Sequence, residues 1–422
     1  MASQGRPLLS RLLDGYYVFV LMLSTTACVS IFVNFEDSAN SASGSPVFKI
    51  LWGIVYVISI LRVIEMRHQV GALLKTNKAL IFLLLLGPIS AVWSIAPLTS
   101  LHFAATVLLC TFFSIDFSLS NPIRRQLELI RTAFVILLVL SVIVQVLFPG
   151  FVPTAPEEAD AWHGLWAFKN DFGRIVCFGT IAWLTLTRSF ALRCFIFACG
   201  ITLTILSKSV SAVGYTIILT AVLIALSVFK WRPKRRLAGI ICMAVLSAVL
   251  VFFVVQDWDQ ILASVDKDPH MTGRVDLWRL SLKEIEKRPL LGYGYQAFWT
   301  YDSQPARRIR EEINWPEAPH AHNAYIDVTL STGLIGLSVY CLAILIVFMN
   351  ACRYFMSGNE DYRRWPLVYV AFVASYQLTE GGIVVGNSVM SILFVSMAFS
   401  LSLVKQESAE VQEAPQLAAS AA

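Results

Sequence analysis

An all-α membrane protein crossing the bilayer about twelve times is the fold class this chain predicts. Three observations carry that reading. Of 422 residues, 57% are hydrophobic and only 14% are charged, a balance unlike that of soluble domains. The apolar runs approach the roughly 20 residues that a helix needs to cross hydrocarbon, and few contain a charge. Basic residues gather at alternate ends of these runs, as they do in inner-membrane proteins. Runs of this length satisfy their backbone internally as helices, which excludes a barrel.

Taken in order, the runs fall at 16–34, 47–63, 79–95, 101–119, 132–148, 172–187, 195–207, 210–229, 237–255, 324–349, 366–378 and 387–404. The first follows Arg6 and Arg11 as a signal peptide would, but it lacks a small-x-small cleavage site and is read as a span. The seventh and eleventh are short, as tilted, kinked or re-entrant segments are. Arg62, Arg67, Lys75 and Lys78 follow the second run; Arg124, Arg125 and Arg131 follow the fourth; Arg188 and Arg193 follow the sixth. Lys230, Arg232, Lys234, Arg235 and Arg236 follow the eighth, and Arg353, Arg363 and Arg364 the tenth. The alternate loops are neutral or acidic, as at Glu36-Asp37 and Glu157-Glu158-Asp160. Both termini are then cytoplasmic, and an even span count agrees.

Topology alone accounts for these basic clusters, and the formal charge of +5 requires no acidic partner and no nucleic acid. The organisation is membrane helices over 1–255, an outside loop over 256–322, membrane helices over 323–404 and a polar, disordered tail over 405–422. No repeat of the paired-transporter kind is visible. Cys28, Cys110, Cys177, Cys194, Cys199, Cys242, Cys341 and Cys352 lie in apolar runs or at their cytoplasmic ends. None has metal spacing, so they read as packing residues and not as disulfides or a zinc site.

The outside loop carries an amphipathic segment, TGRVDLWRLSLKEIEKRP, with Thr272 as N-cap and Pro289 as stop. Val275, Trp278, Leu282 and Ile285 form an apolar stripe at helical spacing, and Arg279, Lys283 and Lys287 a basic one, as in a helix lying on the membrane surface. A glycine- and aromatic-rich turn follows, then Arg307, Arg308 and Arg310. Nine basic residues in this loop face eleven acidic ones, so a solvated, ion-paired face explains most of them. Arg274, at the helix start beside Gly273, stands apart. The loop ends in His320-Ala-His322-Asn323, directly before the long tenth run, which is an unusual place for titratable groups.

Two lysines occupy comparable boundaries: Lys169, in Trp166-Ala-Phe-Lys169-Asn170-Asp171, and Lys208, in Ser207-Lys208-Ser209. Ionisable groups at membrane depth face a cavity, a partner or a ligand, although a lysine at a helix end also snorkels to the surface. Asp116 and Glu380 fall near membrane ends and are candidates without an assigned role. A basic, partly lipid-walled cleft with a histidine at its edge suits a lipid carrying an anionic head. Arg and Lys can hold a diphosphate and stabilise it as it leaves. A neutral histidine can take the proton of an attacking hydroxyl. That chemistry needs no cofactor and, where cations replace it, no metal. Alternatively, His322 is structural, an interfacial imidazole bonded to a backbone carbonyl.

His322-Asn323, followed by Gly333-Leu-Ile-Gly336, resembles the His-Asn…Gly-x-x-Gly signature of the bacterial O-antigen ligase and polysaccharide polymerase superfamily (Wzy-type). Thr272-Gly273-Arg274…Leu277-Trp278…Arg288-Pro289…Gly292-Tyr-Gly294 resembles the block preceding that histidine, and Phe168-Lys169-Asn170 the phenylalanine-Lys-Asn element. Ser207-Lys208-Ser209 resembles a serine-rich element in which many members carry Arg. The likeness is greatest to exopolysaccharide-production polymerases, through Gly292-Tyr-Gly294-Tyr-Gln-Ala-Phe-Trp and Trp315.

The resemblance implies an inverting, metal-independent transfer of an undecaprenyl-diphosphate-linked glycan to an acceptor hydroxyl on the periplasmic side. His322 would activate or position the acceptor. Arg274, with Lys169 and Lys208, would hold the diphosphate, and Arg279, Arg288 and Asn323 complete the candidate substrate contacts. The acceptor is a growing glycan in a polymerase or lipid A core in a ligase, with membrane lipids and other polysaccharide-export components as partners. A flippase of lipid-linked glycans is the alternative from another class. It requires charges along a path through both halves of the chain.

Overall fold

The computed structural model describes residues 7–27, 29, 45–154, 160–229, 274–316, 318–382 and 384–420, with side chains as far as Gln406. Among these residues all regular structure is helical. The helices are α1 (Leu8–Leu23), α2 (Pro46–Glu65), α3 (Arg67–Thr76), α4 (Lys78–Ile89), α5 (Pro97–Ser120), α6 (Ile123–Leu147), α7 (Lys169–Leu186) and α8 (Phe190–Leu206). They continue with α9 (Val210–Phe229), α10 (Arg274–Lys287), α11 (Gln304–Glu312), α12 (Ala324–Met356), α13 (Trp365–Tyr376) and α14 (Val389–Ser420).

Six described helices are long and apolar enough to cross a membrane, and a seventh crossing is possible if α3 and α4, bent by 94°, act together. This is fewer than the twelve runs read from sequence. The reason is geometric: α8 has 17 residues and α13 only 12, and α4 ends in a single 3₁₀ turn at Ser90–Val92. The ninth run, 237–255, lies outside the described residues, as do Cys28, Cys242, Thr272 and the basic group 230–236. α6 begins at Ile123, so Arg124, Arg125 and Arg131 sit on its first turns and not in a connecting loop. α14 continues to Ser420, through the segment read as disordered; that stretch is rich in Ala, Glu and Gln, which favour helix.

α2 shows how each outer helix divides its faces. Trp52, Val55, Ser59 and Val63 are buried, whereas Ile50, Ile54, Val57, Leu61 and Ile64 are exposed at helical spacing. In a bilayer that outer stripe contacts hydrocarbon. Inside, α14 packs along α5, α7 along both α8 and α9, and α4 along α12. An aromatic cluster of Phe178, Trp365, Tyr369 and Phe372 joins α7 to α13. Asp116, fully buried, accepts from Arg62 Nε at 2.8 Å and from the Tyr17 hydroxyl at 3.1 Å. That pair ties α1, α2 and α5 together, a structural use for one of the two unassigned carboxylates. The six described cysteines are free.

Candidate active site

The site is framed by a break within α12. Gly333 has φ +68° and ψ −169°, outside helical geometry, so nearby carbonyls and amides lose their partners in the helix ladder. The segment after α10 supplies replacements. Tyr293 N donates to Leu330 O at 2.7 Å and Gly294 N to Ser331 O at 2.9 Å, while Leu334 N donates to Pro289 O at 2.7 Å. The fit excludes side chains: a Cβ on Gly333 would lie 2.1 Å from Leu290 O, and one on Gly292 2.5 Å from Leu330 O. On its other side the same segment is fixed to the α4–α5 junction, through Tyr295 N on Ser90 Oγ and Trp93 Nε1 on Leu291 O.

α10 reaches this region with a face other than the apolar stripe read from sequence. Leu277, Leu280, Ser281 and Glu284 are buried, while Val275 and Leu282 are exposed. Glu284 belongs on the inner face because its carboxylate accepts the Tyr293 hydroxyl at 3.0 Å. Trp278 Nε1 donates to Ala321 O, and Asp327 Oδ1 accepts from both Ala321 N and Trp299 Nε1. These bonds clamp the loop 320–323 from two sides. Asn323 caps α12, its Oδ1 accepting from Tyr325 N and Ile326 N.

His322 sits in this clamp with φ +50°, a left-handed conformation uncommon for a residue with a side chain. Its ring stacks on Trp315 at 5.4 Å and lies 4.2 Å from the His320 ring. Neither ring nitrogen has a hydrogen-bond partner among the described residues, a backbone carbonyl included. Instead Nδ1 lies 3.5 Å from Glu380 Oε2, and Glu380 Oε1 lies 3.5 Å from Arg274 Nη2. Arg274 is fixed in turn by its bond to Thr379 O at 2.9 Å. Burial raises the Glu380 carboxyl, but His322 and Arg274 outweigh burial and hold it below the ordinary carboxylate range. Burial, and then His322, push His320 well below the imidazole range and keep it neutral.

His320, Asp327 and Glu380 border a cavity of about 330 Å³ whose remaining walls include Leu83, Leu86, Val328 and Met390. One part is apolar and another ionisable, which suits an amphipathic ligand. Arg174 and Asp171 also line it. Sequence reading did not single out Arg174, because the residue is submerged in an apolar run. An arginine inside such a run was the available signal. Its Nη2 pairs with Asp171 Oδ1 at 2.7 Å, and its guanidinium lies over the Tyr376 ring at 5.8 Å.

The structure therefore brings His322, Arg274 and Asn323 into one site and adds Glu380 and Arg174. The Phe-Lys-Asn and Ser-Lys-Ser elements also meet, through Ser209 Oγ on Asn170 Oδ1 at 2.8 Å. Lys169 opens α7; it and Lys208, like His322, Arg274 and Asn323, are not among the residues that line the cavity, which His320 and Glu380 border. Lys208 forms an ion pair with Asp160 at the surface. Arg279, half exposed, pairs with Asp276 at 3.1 Å, and the Arg288 guanidinium covers the Tyr293 ring at 4.9 Å. Of the second basic group, Arg310 is buried and donates to Ala318 O and Trp299 O, which makes it a tie for the loop.

Residues 194–341, which include Arg274, His322 and both glycines of Gly333-Leu-Ile-Gly336, match the family model described as O-Antigen ligase. Over 105 residues the chain is 34% identical to the exopolysaccharide production protein ExoQ of Rhizobium meliloti (strain 1021). The aligned stretch is 24% of this chain and 24% of that protein, so the chain spans about a quarter of the curated relative it matches.

Proposed function

We propose that the chain is a membrane glycosyltransferase of the O-antigen ligase and polymerase type. In this reading it polymerises exopolysaccharide repeat units from an undecaprenyl-diphosphate donor. The observation that carries the reading is the Glu380 carboxylate, one oxygen facing His322 and the other Arg274. With the Nδ1 proton directed at Glu380, His322 keeps a lone pair on Nε2 for the acceptor hydroxyl. As the acceptor oxygen bonds to the anomeric carbon, that nitrogen takes the proton. The bond from the anomeric carbon to the diphosphate oxygen breaks, and the diphosphate leaves with the electron pair. A single displacement inverts the anomeric centre. Arg274 and Arg174 supply the positive charge that stabilises the departing diphosphate, so the step uses no metal.

The site faces the periplasm of the inner membrane in this reading, with both termini cytoplasmic. The likeness to an exopolysaccharide production protein favours polymerase. The family description favours the second reading, a ligase transferring finished chains to lipid A core.

A deletion strain complemented with wild type or with His322→Ala separates the two. Loss of high-mass secreted polymer with lipid A capping intact, unrescued by His322→Ala, is the expected result. Uncapped core with finished chains still on their carrier would instead establish a ligase. Full transfer by purified His322→Ala protein would eliminate the base.

A further inference from the structure

We infer that His320, His322 and Glu380 form a transition-metal site, of the kind that takes zinc, whose occupation blocks the acceptor-activating histidine. The inference of blockage rests on the function proposed above; the metal site does not. One ligand atom from each residue lies within 4.8 Å of the others. The 3.5 Å between His322 Nδ1 and Glu380 Oε2 is close to the roughly 3.4 Å edge of a tetrahedron built on zinc bonds of about 2.0–2.1 Å.

The surroundings also suit a ligand. Both His322 nitrogens are buried without a hydrogen-bond partner among the described residues, and imidazole with carboxylate is a common zinc donor set. The cavity bordered by His320 and Glu380 gives an ion and its water a way in. Glu380 can use Oε2 for the metal while Oε1 stays with Arg274, so the guanidinium need not be displaced. His320 Nδ1 now accepts the His322 backbone N–H at 3.0 Å, a neutral contact that yields easily to a metal–imidazole bond. Arg274 is a cation beside the site and weakens it. A metal on Nδ1 takes that nitrogen's lone pair and leaves the neutral ring's proton on Nε2, so the Nε2 lone pair that transfer requires is lost.

The test uses the purified full chain in detergent, stripped of metal and titrated with zinc chloride by calorimetry. One equivalent should bind, at least tenfold more weakly in His320→Ala and in Glu380→Gln. Cobalt(II) provides a measurement independent of the variants: it should give the intense visible bands of a four-coordinate nitrogen–oxygen site. Absence of stoichiometric binding, unchanged affinity in both variants, or a weak six-coordinate cobalt spectrum overturns the site. Zinc should also inhibit glycan transfer at the concentration at which it binds. Binding without inhibition would overturn the blockage and the base role of His322, and leave the metal site standing.

Discussion

At the scale of single residues, the site depends on side chains that hold its frame. Arg310 is buried and its guanidinium donates to Ala318 O and Trp299 O, on either side of α11. Arg310→Ala leaves those carbonyls without partners, and the expected loss of stability is about 3 kcal/mol. Detergent-solubilised protein followed by tryptophan fluorescence during urea unfolding would measure it. Asn323→Ala removes the cap of α12, at a cost of about 1 kcal/mol; Asn323→Asp, which still accepts both amides, should restore it. Stability unchanged in Asn323→Ala would show that the cap does not hold the helix start.

His322, Asn323 and Arg274 were legible in the sequence because each sits in a short local pattern at a polar-to-apolar boundary. Glu380 was visible only as a carboxylate near a membrane end. What gives it a role is its distance to two residues remote in the chain, and no local pattern encodes that. Arg174 was hidden for the opposite reason, since the apolar residues around it made the run read as a plain span.

At the scale of elements, helix existence followed from hydropathy and helix faces did not. The run read at 210–229 coincides with α9, where Ser209 and Lys230 bound an uninterrupted apolar stretch. In α10 the apolar stripe contains exposed residues, and the packed face includes a serine and a glutamate. The glutamate is inside because a tyrosine from the following turn satisfies it, which periodicity cannot register. Within α12, Gly333 interrupts the helix, a task that no local pattern in the sequence announces. Gly333→Ala forces a side chain onto a positive φ and against the Leu290 backbone, and should cost at least about 2 kcal/mol. By contrast, Gly53 in α2 has open space around its Cβ position. Gly53→Ala should stabilise by about 0.5–1 kcal/mol. Thermal unfolding of the two variants side by side distinguishes a required glycine from a dispensable one.

For the whole molecule, all-α membrane architecture was readable from composition, and the number of crossings was not. Short and bent helices carry the same hydropathy per residue as spans, so among the described residues apolar runs outnumber the helices long enough to cross a bilayer. The buried Arg62–Asp116 pair lies among α1, α2 and α5. Asp116→Ala leaves a guanidinium without its counter-charge, and about 3–5 kcal/mol of stability should be lost. Because neither residue borders the candidate cavity, correctly folded protein should retain the glycan transfer proposed above at low temperature, with only its thermal midpoint lowered.

The break at Gly333 also separates two mechanical duties within α12. Above it, the first turns are anchored to the clamp around His322; below it runs the long apolar length that meets lipid. A helix that must tilt to suit a thicker or thinner bilayer transmits that tilt along its whole rigid length. Here the helix ladder breaks at Gly333, and the turn after α10 braces both pieces there, bonding Leu330 and Ser331 above the break and Leu334 below it. Vesicles with shorter or longer acyl chains should therefore change the tilt of the lower segment while the geometry at His322 stays constant. Constant geometry there would mean that the candidate site is insulated from membrane thickness, and geometry that follows acyl length would refute it.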